Sequence, residues 1–176
     1  MKKKSPVFTS VKSLTVSAML CAISVVIGIF CKNFLNFGGG LFRITFENLP
    51  IILSGFLFGP VVGGMVGVAT DLISYLLSSQ VYPPNLIVTA GALLIGVLSG
   101  LLFRLPIKRQ NARIILSVSL SHLLGSVIVK SIGLYTFYGI AVLLRIPLYL
   151  VIAAIEATLL CLLFGRKSFS NLIDKL

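Results

Sequence analysis

Apolar residues run in long blocks along this chain, interrupted at intervals by glycine, proline and short charged segments. Six blocks stand out, at 11–30, 44–58, 61–79, 86–103, 114–132 and 140–164. A helix that crosses the hydrocarbon core of a bilayer needs roughly 20 apolar residues, and most of the blocks meet or approach that length. They predict an all-α integral membrane protein of about six transmembrane helices, with residues 1–176 forming a single membrane domain. The second block is shorter than a full span and carries Pro50 in its first turns, which predicts a tilted or broken helix. Pro147 predicts either a kink in the sixth helix or its true start. Between the blocks, Gly38-Gly39-Gly40 resists regular structure, Gly59-Pro60 makes a turn, residues 133–139 lead into the sixth helix, and Pro83-Pro84 stiffens the connector before Asn85.

Composition agrees with that pattern. Hydrophobic residues make up 57 % of the chain and charged ones 11 %, more apolar surface than a soluble domain of this size can hide. A net charge of +11 raises the question of nucleic acid, but the basic residues flank apolar blocks and form no solvated stripe, so no nucleic-acid partner is expected. The first block follows a basic start without a clear cleavage site, and is expected to stay as the first helix. Lys2, Lys3, Lys4, Lys12, Arg104, Lys108, Arg109, Arg113, Arg166, Lys167 and Lys175 all fall on one side of a six-span arrangement. That side is then the cytoplasm, with both termini and segment 104–113 facing it, in a multi-pass protein of the cell membrane.

Four cations break this pattern. Lys32, Arg43, Lys130 and Arg145 fall at the opposite ends of helices and need another explanation. Arg145, Tyr149, Ile152 and Glu156 follow a 4, 3, 4 spacing that keeps them on one face of the sixth helix. His122, Ser126 and Lys130 follow a 4, 4 spacing on the fifth. Two such stripes facing each other would line a cavity open to the outside. Running from the turn into the third block, Gly59, Gly63, Gly67 and Asp71 recur at four-residue intervals, a small-residue ridge that ends in a carboxylate. An intramembrane acid such as Asp71, Glu47 or Glu156 needs a base or a ligand donor. The plainer reading is that acids and cations pair among themselves and fix helix register. Four cations against three acids still leave a surplus of positive charge at that side, and the surplus calls for an anion.

Enzyme readings find little support. Ser121 and Ser126 lie near His122 in sequence, but no nucleophile-elbow pattern accompanies them, and no G-x-x-x-x-G-K-[ST] phosphate loop is present. Cys21, Cys31 and Cys161 lack metal-ligand spacing, and the chain has one histidine. Neither a cofactor nor a metal is expected.

The segment Arg43-Ile44-Thr45-Phe46-Glu47-Asn48-Leu49-Pro50, followed by Gly55-Phe56-Leu57-Phe58-Gly59-Pro60 and a glycine-rich helix with Asp71, resembles the substrate-binding S components of energy-coupling factor (ECF) vitamin transporters, above all the folate-specific ones. Ala18-Met19-Leu20-Cys21-Ala22 in the first helix is similar to the family's A-x-x-x-A surface. The resemblance implies a high-affinity binding subunit of an ABC-type importer with no energy source of its own. It would take a vitamin from outside, topple in the membrane, and deliver its cargo to a transmembrane coupling protein and two ATP-binding subunits. Ala18 and Ala22 would meet the partner helix. Folate suits the residues at hand: Arg43, Lys130 and Arg145 can pair with its glutamate carboxylates, while Tyr82, Phe34 or Phe46 can stack on the pterin and Asp71 or Asn85 can accept from its ring N–H groups. Glu47, His122, Tyr149 and Glu156 complete the candidate set. Rival readings are an S component for another vitamin or modified base, and a self-sufficient secondary transporter coupled through Asp71 or Glu156.

Overall fold

The computed structural model describes residues 11–37, 42–77, 84–166 and 169. Helix α1 (Val11–Phe34) leads into two short antiparallel strands, β1 (Asn36–Phe37) and β2 (Phe42–Arg43). Next come α2 (Asn48–Phe58), α3 (Pro60–Leu77), α4 (Leu86–Leu102) and α5 (Gln110–Ser121). From α5 the chain continues without a break through a π-helical segment, His122–Lys130, into α6 (Ser131–Tyr138). A 3-10 segment, Gly139–Arg145, then turns it back into α7 (Ile146–Gly165).

Among the described residues, three stretches are long and apolar enough to cross a bilayer: Val11–Phe34, Pro60–Leu77 and the run Gln110–Gly165, which folds back on itself at Gly139. Asn48–Phe58 and Leu86–Leu102 are apolar but shorter. The distribution of side chains is that of a membrane protein. Along α1 the buried stripe is small or polar, with Ser13, Ser17, Cys21, Ser24 and Gly28, while Leu14, Met19 and Val26 face outward. Serines 54, 99, 117, 121 and 126 are fully buried elsewhere in the bundle. An exterior more apolar than the interior is stable against lipid, where small residues let helices approach and hydroxyls bond to nearby carbonyls. Ser17, Ser54 and Ser99 do this, donating to Ser13 O, Ile51 O and Gly96 O at 2.7, 2.7 and 3.0 Å.

The centre of the bundle is α2, almost wholly buried between α1, α3 and α4. Glycines set this packing. Gly63 on α3 and Gly96 on α4 lie so close that a methyl group on either would overlap the other's backbone, and one on Gly55 of α2 would strike Ser99 and Gly96. The four-residue ridge of α3 is thus a packing face against α4, and Gly67 continues it against Ala92. At Gly59, between α2 and α3, φ is 98°, a backbone that only glycine adopts without strain.

Several expected boundaries move. The first helix extends to Phe34, and regular α-helix in the second begins at Asn48. The stretch expected to lead into the sixth helix is itself helical as far as Tyr138. Gly133 does not break it, because the glycine fits against Ile87 and Val88 of α4, where a side chain would crowd. The turn falls at Gly139, with φ 56°. Pro147 stands in the first turn of α7, where no intrahelical N–H is needed, so it marks a start and not a kink.

Candidate ligand-binding site

One end of the bundle collects the C-terminus of α1, the β1–β2 hairpin, the N-termini of α2, α4 and α7, and the π segment's Lys130. Glu47 is its hub. Its backbone sits just ahead of α2, where the N–H donates to Thr45 Oγ1 at 3.3 Å and the carbonyl accepts from Ser24 Oγ of α1. Its carboxylate meets two cations. Arg43 Nη2 donates to Oε2 at 3.0 Å, one helical turn back in sequence, while Lys130 Nζ stands 3.8 Å from Oε1. Lys130 donates its hydrogen bond to Asn48 Oδ1 at 3.2 Å. Gly28 of α1 makes room for the carboxylate, since a Cβ there would come within 2.7 Å of Oε2.

The π segment explains how Lys130 arrives here. Its hydrogen bonds reach five residues along, so a four-residue step lies closer to one full turn than in an α-helix. His122, Ser126 and Lys130 accordingly all face inward, and all are buried. Gly125 and Gly91 bring the segment against α4, with Lys130 passing over Gly91.

The same stripe forms a second, deeper cluster. His122 Nε2 lies 2.7 Å from Glu156 Oε2, and Ser126 Oγ lies 3.3 Å from His122 Nδ1, all beyond the reach of solvent. The other carboxylate oxygen, Glu156 Oε1, is buried and has no hydrogen-bond partner among the described residues. An acid and an imidazole held together in an apolar interior tie α7 to the fifth helix, and truncating either would strand its partner.

Other expected site residues lie around these clusters. The Arg145 guanidinium sits over the Tyr138 ring at 4.7 Å, and its 3-10 segment packs against β2, the strand that ends in Arg43. Tyr149 is buried one turn further into α7. Asp71 accepts from Thr89 Oγ1 of α4 at 2.6 Å, extending the glycine ridge by one polar contact. Asn85 caps α4 by accepting from Ile87 N at 2.9 Å and ties it to α6 by donating to Gly133 O at 2.6 Å. Phe46 is half-buried in the connector before α2, whereas Phe34 is 68 % exposed and packs against Phe30 with the rings tilted by 32°. Tyr82 lies outside the described residues. Asn48, Thr89 and Tyr138 were not among the expected residues. Lys32 was noted only as an outlier cation, and here its Nζ donates to Ser74 O of α3 at 3.1 Å. Polar identity inside an apolar run was the one signal that could have drawn attention to Asn48 and Thr89.

On the flank away from these clusters, α1 and α3 enclose an open apolar groove of about 620 Å³, lined among others by Ser17, Ala18, Cys21, Ala22, Val62 and Met65. Ala18 and Ala22 are exposed on it.

Fold and site together define an all-α membrane protein in which the buried cations and Glu47 gather toward one end of the bundle. Residues 12–173 match the family model described as ECF transporter, substrate-specific component, and the chain belongs to that family. It is 28 % identical over 124 residues to the folate transporter FolT of Clostridium novyi (strain NT), covering 69 % of each chain. Among solved structures it is similar to the crystal structure of FolT bound with folic acid, with a TM-score of 0.63, 25 % identity, and coverage of 85 % of this chain and 88 % of that one.

Proposed function

We propose that this chain is the folate-binding subunit of an ECF-type importer in the cell membrane. It crosses the bilayer six times with both termini in the cytoplasm, captures folate at the Lys130 end from outside, and passes it to a transmembrane coupling protein driven by two ATP-binding subunits. The observation that carries this reading is the gathering of Arg43, Lys130 and Arg145 at one end of the bundle, in a chain similar over most of its length to a protein solved with folic acid. Two carboxylates on the folate tail match a site with surplus positive charge.

Mass analysis of the small molecule that copurifies from native membranes tests the ligand directly. Folate is the expected mass; a different vitamin would reassign the site, and a chain that neither carries nor binds folate would end this reading. The partner side has its own test. Replacing both Ala18 and Ala22 by leucine fills the α1–α3 groove, so uptake should fall to background while folate affinity changes little. Parallel loss of both would make that face part of the internal packing.

A further inference from the structure

Arg43 and Lys130 are already engaged by a carboxylate, and it belongs to the protein. The hold is incomplete. Arg43 gives Glu47 one Nη2 hydrogen bond, while its Nε is buried without an acceptor among the described residues. Lys130 stands 3.8 Å from Glu47, beyond hydrogen-bonding distance, and spends its directed bond on Asn48. Guanidinium binds carboxylate best as a fork, through two parallel N–H groups. Glu47 uses half of that fork.

Its backbone, in contrast, is fixed. Ser24 Oγ donates to its carbonyl and Thr45 Oγ1 accepts from its N–H, so the peptide unit can stay in place while the side chain changes rotamer. We propose that Glu47 is a displaceable internal counter-ion. A ligand carboxylate takes over Arg43 and Lys130 on capture, and Glu47 reclaims them on release, so that neither cation is left bare in a poorly hydrated site at any stage. This inference rests on the anionic ligand proposed above. Its consequence is kinetic: the carboxylate lowers affinity and speeds release.

The test compares the parent with Glu47→Gln, which keeps the shape and removes the charge. Folate dissociation should slow by about tenfold or more, with equilibrium affinity tightening by a similar factor, because a charge-assisted competitor has been removed. Release of a pterin without the glutamate tail should be unaffected. Faster or unchanged folate release overturns the proposal, as does an equal change for the tailless pterin, which would mean that Glu47 reads the ring or only supports the fold.

A second arm needs no vitamin. In Glu47→Ala, acetate should raise the thermal midpoint relative to chloride at matched ionic strength, since a free carboxylate can take the vacated place between the two cations, and the parent should show no such preference. An Ala variant indifferent to acetate, or unfolded even in its presence, also overturns the proposal. If the parent fails to bind folate, the ligand assignment falls while the acetate response still decides the role of Glu47.

Discussion

The two ends of the bundle hold the same kinds of cation in opposite circumstances. At the Lys130 end, Lys130 and Arg145 are only 7 % and 6 % exposed, with Arg43 and Lys32 half-buried beside them. At the other end Arg104, Lys108, Arg109 and Arg166 are exposed, and Arg113 lies over the Phe103 ring at 4.3 Å, on an aromatic cluster with Phe56 and Phe164. Solvated cations cost little and follow the positive-inside tendency. Withdrawn from water, the same groups must meet counter-charges or oriented dipoles. Burial therefore separates the basic residues expected to report orientation from those expected to handle a ligand.

The largest effect expected from this contrast is on binding. Alanine at Arg43, Lys130 or Arg145 removes one partner of a buried charge contact, worth about 2–5 kcal/mol, so each should weaken folate at least about thirtyfold in titrations of the purified protein. Alanine at Lys108 or Arg109 should leave affinity within about twofold, as exposed charges contribute little. A tailless pterin should be nearly indifferent to all five changes. If it responds to the first three as folate does, the buried cations read the ring or hold the fold, and the contrast between the ends loses its functional meaning.

A smaller effect concerns hydroxyls. Thr89→Val leaves Asp71 without the 2.6 Å bond it accepts, and the stranded acid should lower stability by about 1–3 kcal/mol in thermal or denaturant unfolding. Thr158, whose exposed hydroxyl donates to Ala154 O at 2.8 Å within its own helix, should tolerate the same replacement with little change. Equal responses would mean that Asp71 is satisfied by other means.

Much of this organisation was legible in the sequence because it is periodic. The four-residue spacing of Gly59, Gly63, Gly67 and Asp71 is a packing face in the bundle, and the stripes ending in Lys130 and Arg145 do point inward. The π turn was not legible. Its four-residue polar spacing looks the same as that of an α-helix, and what sets the wider turn against α4 is the fit of Gly125 and Gly91 between separate helices. The helical run through residues 133–138, expected only to lead into the sixth helix, was hidden for a similar reason, since only tertiary contact with Ile87 and Val88 explains a glycine inside α6. The Glu47–Lys130 approach joins groups far apart in sequence, and Asn48, one residue beyond the recognised acid, becomes visible as Lys130's partner only once the helices are packed.

The shortness of α2 bears on how the protein is made. Eleven residues at about 1.5 Å each span some 16 Å, roughly half of a hydrocarbon core. Such a segment leaving the ribosome is apolar but has too little length to anchor itself across the bilayer. The single-residue joint at Gly59 couples it to α3, so the pair can be handed to the membrane as one helical hairpin, with the longer arm drawing in the shorter. On this account the glycines between α2, α3 and α4 act during synthesis as well as in the finished bundle. The segment that Glu47 caps gains its place only after translation has supplied the later helices that enclose it.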